Sequence, residues 1–378
     1  MGCLWGAPLP DLRGLHASRA DNGRMNAAPR SFGVEDIADF DTLIDARSPA
    51  EYALDHIPGA INCPVLDDEE RRFVGTIYKQ RGAFEAKRVG GAMVAAHLAE
   101  HLRTRFADMP RGWRPLVYCW RGGLRSGSFV QWLRLVGWDA QQLNGGYKRW
   151  RGHVIECIDQ LAPQLPLRVL CGATGSAKTR VLQALAIAGE QVLDLEDLAA
   201  HKGSVLGGWP GRPQPSQKAF ETQLAAQLKA FDLTRPVYVE AESRRIGRIT
   251  LPTALLERLR ASPCIEIAAT APARLAHLLH DYAYLGDDGE ALAAQIGLLH
   301  GLQANETLER WQAWARQHQL PLLFEELMRL HYDPLYARSQ HSNFLRLADA
   351  RRVETDTLEE AALPELARQV AQLGGMSA

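Results

Sequence analysis

Two short stretches bring together residue types that can do chemistry. In "VYCWRGGLRS" (117–126) an apolar run ends at Cys119, and Arg121, Gly122, Gly123 and Arg125 follow. A strand end, a glycine-rich turn and a helix opening near Ser126 would aim backbone N–H groups and a helix dipole at the sulfur. Two guanidinium groups add fixed positive charge, and each contribution favours thiolate over thiol. Gly122 and Gly123 let amides turn inward where a side chain would block them. Cys119 is the predicted nucleophile, although most lone cysteines are inert core residues. The second stretch is "GATGSAKT" (172–179), preceded by an apolar strand pattern and followed by a helical one. Gly172, Ala173, Thr174, Gly175, Ser176, Ala177, Lys178 and Thr179 fit the frame of a phosphate-binding loop, with Ala177 where the second glycine belongs. Amides from Ala173 to Lys178 would cradle phosphate oxygens, Lys178 would neutralise their charge, and the Thr179 hydroxyl would lie within reach of Mg²⁺. The Cβ of Ala177 restricts the backbone at that point.

Around the phosphate loop the usual metal-binding aspartate is missing. "PVYVE" (236–240) ends in Glu240, and "ESRRIGR" (242–248) follows. Glu240, Arg244, Arg245 and Arg248 are candidates for phosphate or RNA contact, with surface ion pairing to Glu240 or Glu242 as the plain alternative for the arginines. The six cysteines (Cys3, Cys63, Cys119, Cys157, Cys171, Cys264) are scattered without a Cys-x-x-Cys pair, so neither a zinc site nor a disulfide framework is expected. No metal ligand set and no tightly bound cofactor are expected, Mg²⁺ being compatible with a phosphorylated ligand. The loop reads as one that grips a phosphate without having to hydrolyse a nucleotide.

Elements that would position these stretches can be read around them. "TLIDAR" (42–47) and "PLVYC" (115–119) are short, bounded and apolar, as buried strands are. After the second, Ser126 would cap a helix with Phe129, Trp132, Leu133 and Val136 inward and Gly137 as terminator. "LRVLC" (167–171), "QVLDLEDL" (191–198), "PVYVEAES" (236–243) and "CIEIAAT" (264–270) read as further strands. Ser216 would cap a helix burying Phe220, Leu224, Leu228 and Phe231. From Pro272 the pattern is mainly helical, and "ARRVETDT" (350–357) returns as a strand. The fold class is α/β: one parallel-sheet domain over residues 31–155 and a second, carrying the phosphate loop and added C-terminal helices, over 156–378. Residues 1–30 read as a mobile extension, with Met25 as an alternative start.

Bulk properties narrow the function. The chain of 378 residues suits two domains, with 46% hydrophobic and 23% charged residues. No apolar run is long enough to span a membrane and the N-terminus has no apolar signal core, so a cytoplasmic protein with no membrane partner is expected. The net charge of −1 hides an asymmetry: His101–Ile155 carries ten Lys or Arg against Asp108 and Asp139. That segment is about +8, which suggests a polyanionic partner or a solvated face. Lys148, Arg149 and Arg151 are the candidate contacts there, with Trp113, Trp120 or Trp150 available to stack on an exposed base.

These stretches also carry a resemblance. "LIDARSPAEYALDHIPGAINCPV" (43–65) and "LNGGYKRW" (143–150) resemble the opening and closing signatures of rhodanese-like domains. This implies that Cys119 carries a chalcogen as a persulfide or its selenium analogue. It also implies that Asp45, Arg47 and His56 order the loops around it, while Cys63 is packed and inert. Cys-x5-Arg spacing also occurs in cysteine phosphatases, so loop length alone does not separate chalcogen transfer from phosphate hydrolysis. With "QVLDLEDLAAHKGS" (191–204), "QPSQ" (214–217) and "ESRRIGR" added, residues 34 to 375 resemble the tRNA 2-selenouridine synthases: a rhodanese-like domain followed by a P-loop NTPase-like domain. Ala177 and the N-terminal extension depart from the pattern. The resemblance implies a tRNA with wobble 2-thiouridine as substrate, geranyl diphosphate and selenophosphate as co-substrates, and an S-geranyl intermediate. A selenophosphate-supplying enzyme would be a natural partner. On this reading the phosphate loop holds geranyl diphosphate, and Cys119 receives selenium as a perselenide. Two other readings stay open at this point: a sulfurtransferase acting on a small acceptor, fused to a nucleotide-binding P-loop domain, and a regulatory module in which Cys119 senses redox state.

Overall fold

The computed structural model describes residues 32–203, 207–209 and 211–375, with backbone alone for 339–342. The expected mobile extension, residues 1–30, lies outside the described residues, as does Cys3. The first domain is a four-stranded parallel sheet ordered β2-β1-β3-β4, built from β1 (Thr42–Asp45), β2 (Ile61–Asn62), β3 (Pro115–Tyr118) and β4 (Gln141–Gln142). Every residue of β3 is buried, which explains its unbroken apolar run. Helices α1 (Pro49–Leu54), α2 (Asp68–Arg81), α3 (Ala83–Thr104), α4 (Leu124–Val136) and α5 (Gly146–Leu161) connect and cover the strands. The α2–α3 hairpin between β2 and β3 is not foreseen from the sequence.

The second domain is a five-stranded parallel sheet ordered β11-β10-β5-β7-β6. Its strands are β5 (Leu167–Cys171), β6 (Gln191–Leu193), β7 (Val237–Glu240), β10 (Cys264–Ala269) and β11 (Arg351–Thr355), and a small antiparallel hairpin, β8 (Arg245–Ile246) with β9 (Ile249–Thr250), follows β7. Helices α6 (Lys178–Ile187), α7 (Leu195–Ala199), α8 (Gln217–Ala230) and α9 (Thr253–Ala261) complete the α/β unit. Helices α10 (Ala271–Asp281), α11 (Gly289–Gly297), α12 (Asn305–Arg316), α13 (Leu320–Glu326) and α14 (Asp333–Asn343) then build a helical annex around Trp311, and α15 (Leu363–Gly375) packs back on α6. This α/β architecture, two parallel-sheet domains with added C-terminal helices, is the expected fold class.

Local chemistry explains most boundaries and three corrections. Ser216 caps α8, its Oγ accepting from Ala219 N at 3.1 Å, and Phe220, Leu224 and Leu228 are buried as expected. The strand predicted over 191–198 stops at Leu193, because Asp194 caps α7 by accepting from Asp197 N. Helix α4 begins at Leu124 with Gly123 at the cap position, so Ser126 lies inside the first turn rather than capping it. The inward face of α4 is Ser126, Phe129, Val130 and Leu133, while Trp132 and Val136 are about half exposed. Trp113 is core, its Nε1 donating to Thr42 Oγ1 at 2.9 Å, and is not available to stack on a base.

Helix α5 runs unbroken through residues 155 and 156 and joins the two domains. Arg151 on it is 8% exposed, donating to Lys218 O and Thr222 Oγ1 at 3.0 Å and pairing with Glu221 and Asp55. Arg151 is therefore no contact for phosphate or RNA: its charge is consumed inside the domain interface.

Candidate functional site

Cys119 sits at the C-terminal end of β3, where the chain leaves the sheet. Its residue surface is 3% exposed and one flank packs against the core around Ile44, Ala46 and Phe129. The sulfur itself faces polar donors. Gly123 N–H donates to Sγ at 3.3 Å and Ser126 Oγ lies 3.1 Å away. Gln142 on β4 donates to Ser126 Oγ at 2.8 Å and to Gly123 O at 3.0 Å, so it fixes both groups that meet the sulfur. Ser126 and Gln142 have no individual signature in the sequence; the pairing of β3 with β4 is what brings them to Cys119.

The cations of the loop are arranged differently from expectation. Arg125 reaches Glu51 on α1 at 2.7 Å, and Arg71 approaches the same carboxylate at 3.7 Å. Arg125 thus fastens the loop to α1 instead of offering a bare charge to the sulfur. Arg121 is exposed. Helix α5 closes the loop from the other side: Tyr147 N donates to Cys119 O at 2.8 Å and Lys148 N to Trp120 O at 2.9 Å. A Cβ on Gly146 would stand 2.3 Å from Cys119 O, so only glycine permits this approach. Lys148 and Arg149 are exposed on the first turn of α5, Arg149 pairing with Glu156.

Beneath the loop, Asp45 and Arg47 form a buried bidentate pair, and Arg47 also donates to Asp55 O at 2.7 Å. The guanidinium lies 3.8 Å from the Tyr147 ring centroid. His56 stacks on Tyr52 and makes a 3.0 Å hydrogen bond with its carbonyl. None of the three faces the sulfur. Cys63 is fully buried, and burial pushes its thiol up to about 11. Cys63, Cys119, Cys157, Cys171 and Cys264 all carry free thiols.

The phosphate loop joins β5 to α6. Gly175 has φ +84°, and a Cβ there would meet Leu278 and the Arg274 carbonyl at about 3 Å. Ala177, at the helix cap position, adopts φ 56° and ψ 29°, the left-handed conformation that glycine takes freely. The glycine-like geometry is therefore kept with alanine. Lys178 Nζ donates to Gly172 O at 2.9 Å, and Tyr336 OH accepts from Gly172 N. Arg274 on α10 holds the loop from behind, donating to Thr174 O at 2.8 Å while paired with Asp333. Ser176 Oγ is buried without a partner among the described residues.

In front of the loop opens a cavity of about 860 Å³. Its polar end holds Lys178, Thr179, Lys202 and three carboxylates, Glu196, Glu240 and Glu242. Their oxygens lie within 4.8 Å of one another, and Thr179 Oγ1 donates to Glu196 Oε2 at 3.2 Å. Burial first, then the neighbouring carboxylates, push Glu196 up to about 10 and Glu242 up to about 8. Glu240 is 4% exposed and its Oε1 has no hydrogen-bond partner among the described residues. Buried beside two other carboxyl groups, its side chain offers a phosphate neither positive charge nor an N–H donor of its own. With Thr179, the three carboxylates form the hard oxygen set that suits Mg²⁺. Sequence spacing offers no such set because its members come from α7, the end of β7 and the segment after it. Arg244, Arg245 and Arg248 are exposed around the β8–β9 hairpin and do not themselves line this cavity, although the neighbouring Ser243 does.

Aromatic and apolar side chains also line the cavity: Trp209, Tyr282, Tyr284, Leu335, Tyr336 and Phe344, with Lys202 Nζ 4.2 Å from the Tyr282 ring centroid. A narrow apolar slot continues from it between Phe324, Leu327 and Met328, sharing Thr174, Leu278, Tyr282 and Tyr332 with the main cavity. Tyr332 closes a π-helical turn, Leu327–Tyr332, of the kind that recurs at functional sites. A phosphate cradle and apolar side chains in one cavity suit an amphiphilic phosphate ester.

Comparison with known proteins agrees with both halves. Residues 34–153 match the model of the rhodanese-like domain, and residues 165–310 match that of the tRNA 2-selenouridine synthase AAA domain. The tRNA 2-selenouridine synthase of Nitrosomonas europaea is 38% identical over 279 residues, covering 73% of this chain and 72% of its own. The tRNA 2-selenouridine synthase of Cupriavidus pinatubonensis is 35% identical over 367 residues, 86% of this chain and 98% of its own. Among solved structures, the N-terminal domain of a putative ATP/GTP binding protein from Clostridium difficile 630 is 37% identical over 33% of this chain and 98% of its own, with a TM-score of 0.30. With both domains matched in order and a relative aligned over nearly its whole length, the chain belongs to the tRNA 2-selenouridine synthase family.

Proposed function

We propose that this protein converts wobble 2-thiouridine in tRNA to 2-selenouridine in two steps, using geranyl diphosphate and then selenophosphate. The observation that carries the reading is the mixed lining of the second-domain cavity, phosphate-loop residues together with aromatic and apolar side chains, on the same chain as a cradled cysteine. In the first step the thiocarbonyl sulfur attacks C1 of geranyl diphosphate. The C1–O bond breaks, diphosphate leaves with its electron pair, and the base loses its N3 proton. Lys178 and the loop amides hold the diphosphate, and Tyr282, Tyr284, Leu335 and Phe344 receive the ten-carbon chain. Thr179, Glu196, Glu240 and Glu242 would hold Mg²⁺, which when bound supplies charge neutralisation for the diphosphate. Water is kept from C1 by these side chains.

In the second step water cleaves the P–Se bond of selenophosphate, phosphate leaves, and the freed selenide adds to C2 as the C2–S bond breaks. Geranylthiol leaves with a proton, the alkylated sulfur being a far better leaving group than a thiocarbonyl. The exchange is redox-neutral. Cys119 is assigned to this step, with Gly123 N–H and Ser126 Oγ stabilising negative charge on its sulfur. A perselenide on Cys119 is two electrons more oxidised than the selenide of selenophosphate, so that route demands a two-electron oxidant to form it and a thiol reductant to discharge it, and direct delivery demands neither. The test is nucleoside mass spectrometry of tRNA incubated with protein and both co-substrates, with and without thiol. Cys119→Ser is expected to accumulate S-geranyl-2-thiouridine without selenouridine, and Lys178→Ala to leave 2-thiouridine unchanged. Full selenation by Cys119→Ser would remove Cys119 from the reaction.

A further inference from the structure

The α2–α3 hairpin has no part in either pocket, yet its surface is unusual. Only Ile77 of α2 is buried, and the seam with α3 is close, a Cβ on Gly90 standing only 3.2 Å from the Val74 side chain. Outside that seam the arm leaves three large aromatics in solvent: Phe73 at 52%, Tyr78 at 60% and Phe84 at 75% exposure. Cations lie among them. Arg72, Lys79, Arg81 and Lys87 are all exposed, and among the described residues none has a carboxylate within ion-pair distance. The acids of the arm other than the exposed Glu69 are already engaged. Asp67 and Glu70 form the α2 capping box, Asp68 accepts from Ala50 N, Glu70 also meets His97 at 2.6 Å, and Glu85 pairs with Arg88.

The arm is also continuous with the cysteine loop. Arg71 lies 3.7 Å from Glu51, the carboxylate that holds Arg125. Tyr78 stands seven residues on, hence on the same face of α2 and about 10 Å further out. Elsewhere on the first domain the basic segment 101–155 is largely spent on protein contacts. Arg103 pairs with Glu100, Arg114 with Asp139, Arg125 with Glu51, Arg149 with Glu156, and Arg151 is buried.

We propose that the α2–α3 arm is a docking surface for the tRNA substrate: Arg72, Lys79, Arg81 and Lys87 meet backbone phosphates, and Tyr78 and Phe84 stack on unpaired bases beside the nucleotide presented to Cys119. Unpaired cations interleaved with exposed rings fit a single-stranded nucleic-acid loop, where stacking and phosphate contact act together. A protein partner or second copy would be expected to meet the rings with fewer unpaired cations around them.

The inference rests on the proposed tRNA reaction, and the experiment separates the two. Binding of unmodified tRNA transcript is measured by filter retention at several salt concentrations, for the full chain and for two variants. The variants are Arg72→Glu/Lys79→Glu/Lys87→Glu and Tyr78→Ala/Phe84→Ala, with circular dichroism as the check on folding. Each is expected to weaken binding about tenfold or more at moderate salt. The charge variant should lower the salt slope by roughly two to three, and the aromatic variant should leave it unchanged. If the parent chain binds no tRNA, the proposed function itself fails. If the parent binds and both folded variants bind equally well, the arm is not the docking surface, and a change in sedimentation of Tyr78→Ala/Phe84→Ala would then mark it as a protein interface.

Discussion

At the scale of single residues, the contrast between two buried cysteines shows how position makes chemistry. Cys63 and Cys119 are both almost inaccessible. Cys63 lies in the core with only a long 3.9 Å approach from Arg105, and burial keeps it protonated. Cys119 stands at a strand end with Gly123 N–H and Ser126 Oγ turned to its sulfur. Ser126 is set in turn by Gln142. Ser126→Ala should therefore slow the Cys119-dependent step while leaving geranylation intact, by about tenfold for one lost hydrogen bond to an anion. Ser126→Thr, which keeps the hydroxyl, should restore most of the rate. Single-turnover nucleoside analysis starting from S-geranyl tRNA measures this directly. An unchanged rate in Ser126→Ala would show that the hydroxyl serves only to close the first turn of α4, through its 3.3 Å approach to Gly123 O.

At the scale of elements, the strands and loop ends were the legible part. "PLVYC" and "LRVLC" are apolar because both faces of a parallel sheet are covered, and Ser216 and Gly137 terminate helices by the expected capping chemistry. What the sequence hid depends on contacts between distant elements. Glu196, Glu240 and Glu242 converge only through the β6-β7 pairing, Ser126 and Gln142 only through β3-β4. The basic count over 101–155 likewise says nothing of which arginines are already paired. The α2–α3 hairpin escapes because its mostly polar surface lacks a strong apolar stripe. At its far end α3 meets the core through His101, whose Nε2 lies 2.9 Å from Pro64 O and whose ring stacks on Phe129 of α4. Burial lowers its affinity for a proton below the ordinary 6.5. The unfolded chain then takes up the proton first as pH falls, so the contribution is present above about 6.5 and is lost as pH drops toward the folded value. Urea unfolding between pH 7.5 and 5.5 should show stability falling with acidity. His101→Gln, which can still donate to Pro64 O, should show a shallower fall; an equal slope would assign the effect to His277 or His331, whose burial acts in the same direction.

At the scale of the whole molecule, the two domains are joined by a buried polar knot as well as by the continuous helix α5. Asp55, 4% exposed, accepts from Tyr147 OH at 2.6 Å and from Thr222 Oγ1 of the second domain at 3.1 Å, with Arg151 3.5 Å away. Ser216, the cap of α8, donates to Leu54 O next door. Lys218 lies 5.4 Å from the ring centroid of Trp120, directly after Cys119. The start of α8 is thus seated against the loop that carries Cys119, and through Tyr147 the knot touches the helix that closes that loop. Removing Asp55 would leave Arg151, Tyr147 and Thr222 short of a buried acceptor. A change of that kind costs about 3–5 kcal/mol when the lost partner is charged. Asp55→Ala should accordingly turn one cooperative calorimetric transition into two, because the domain contact no longer outweighs independent melting. On the proposed assignment of diphosphate to the folded phosphate loop, mass action by inorganic diphosphate should raise the whole transition in the parent chain but only one of the two in Asp55→Ala. A single transition that still shifts as a unit in the variant would mean that α5 alone couples the domains, and the knot would then be a packing feature without a part in transmitting occupancy from the diphosphate to the sulfur.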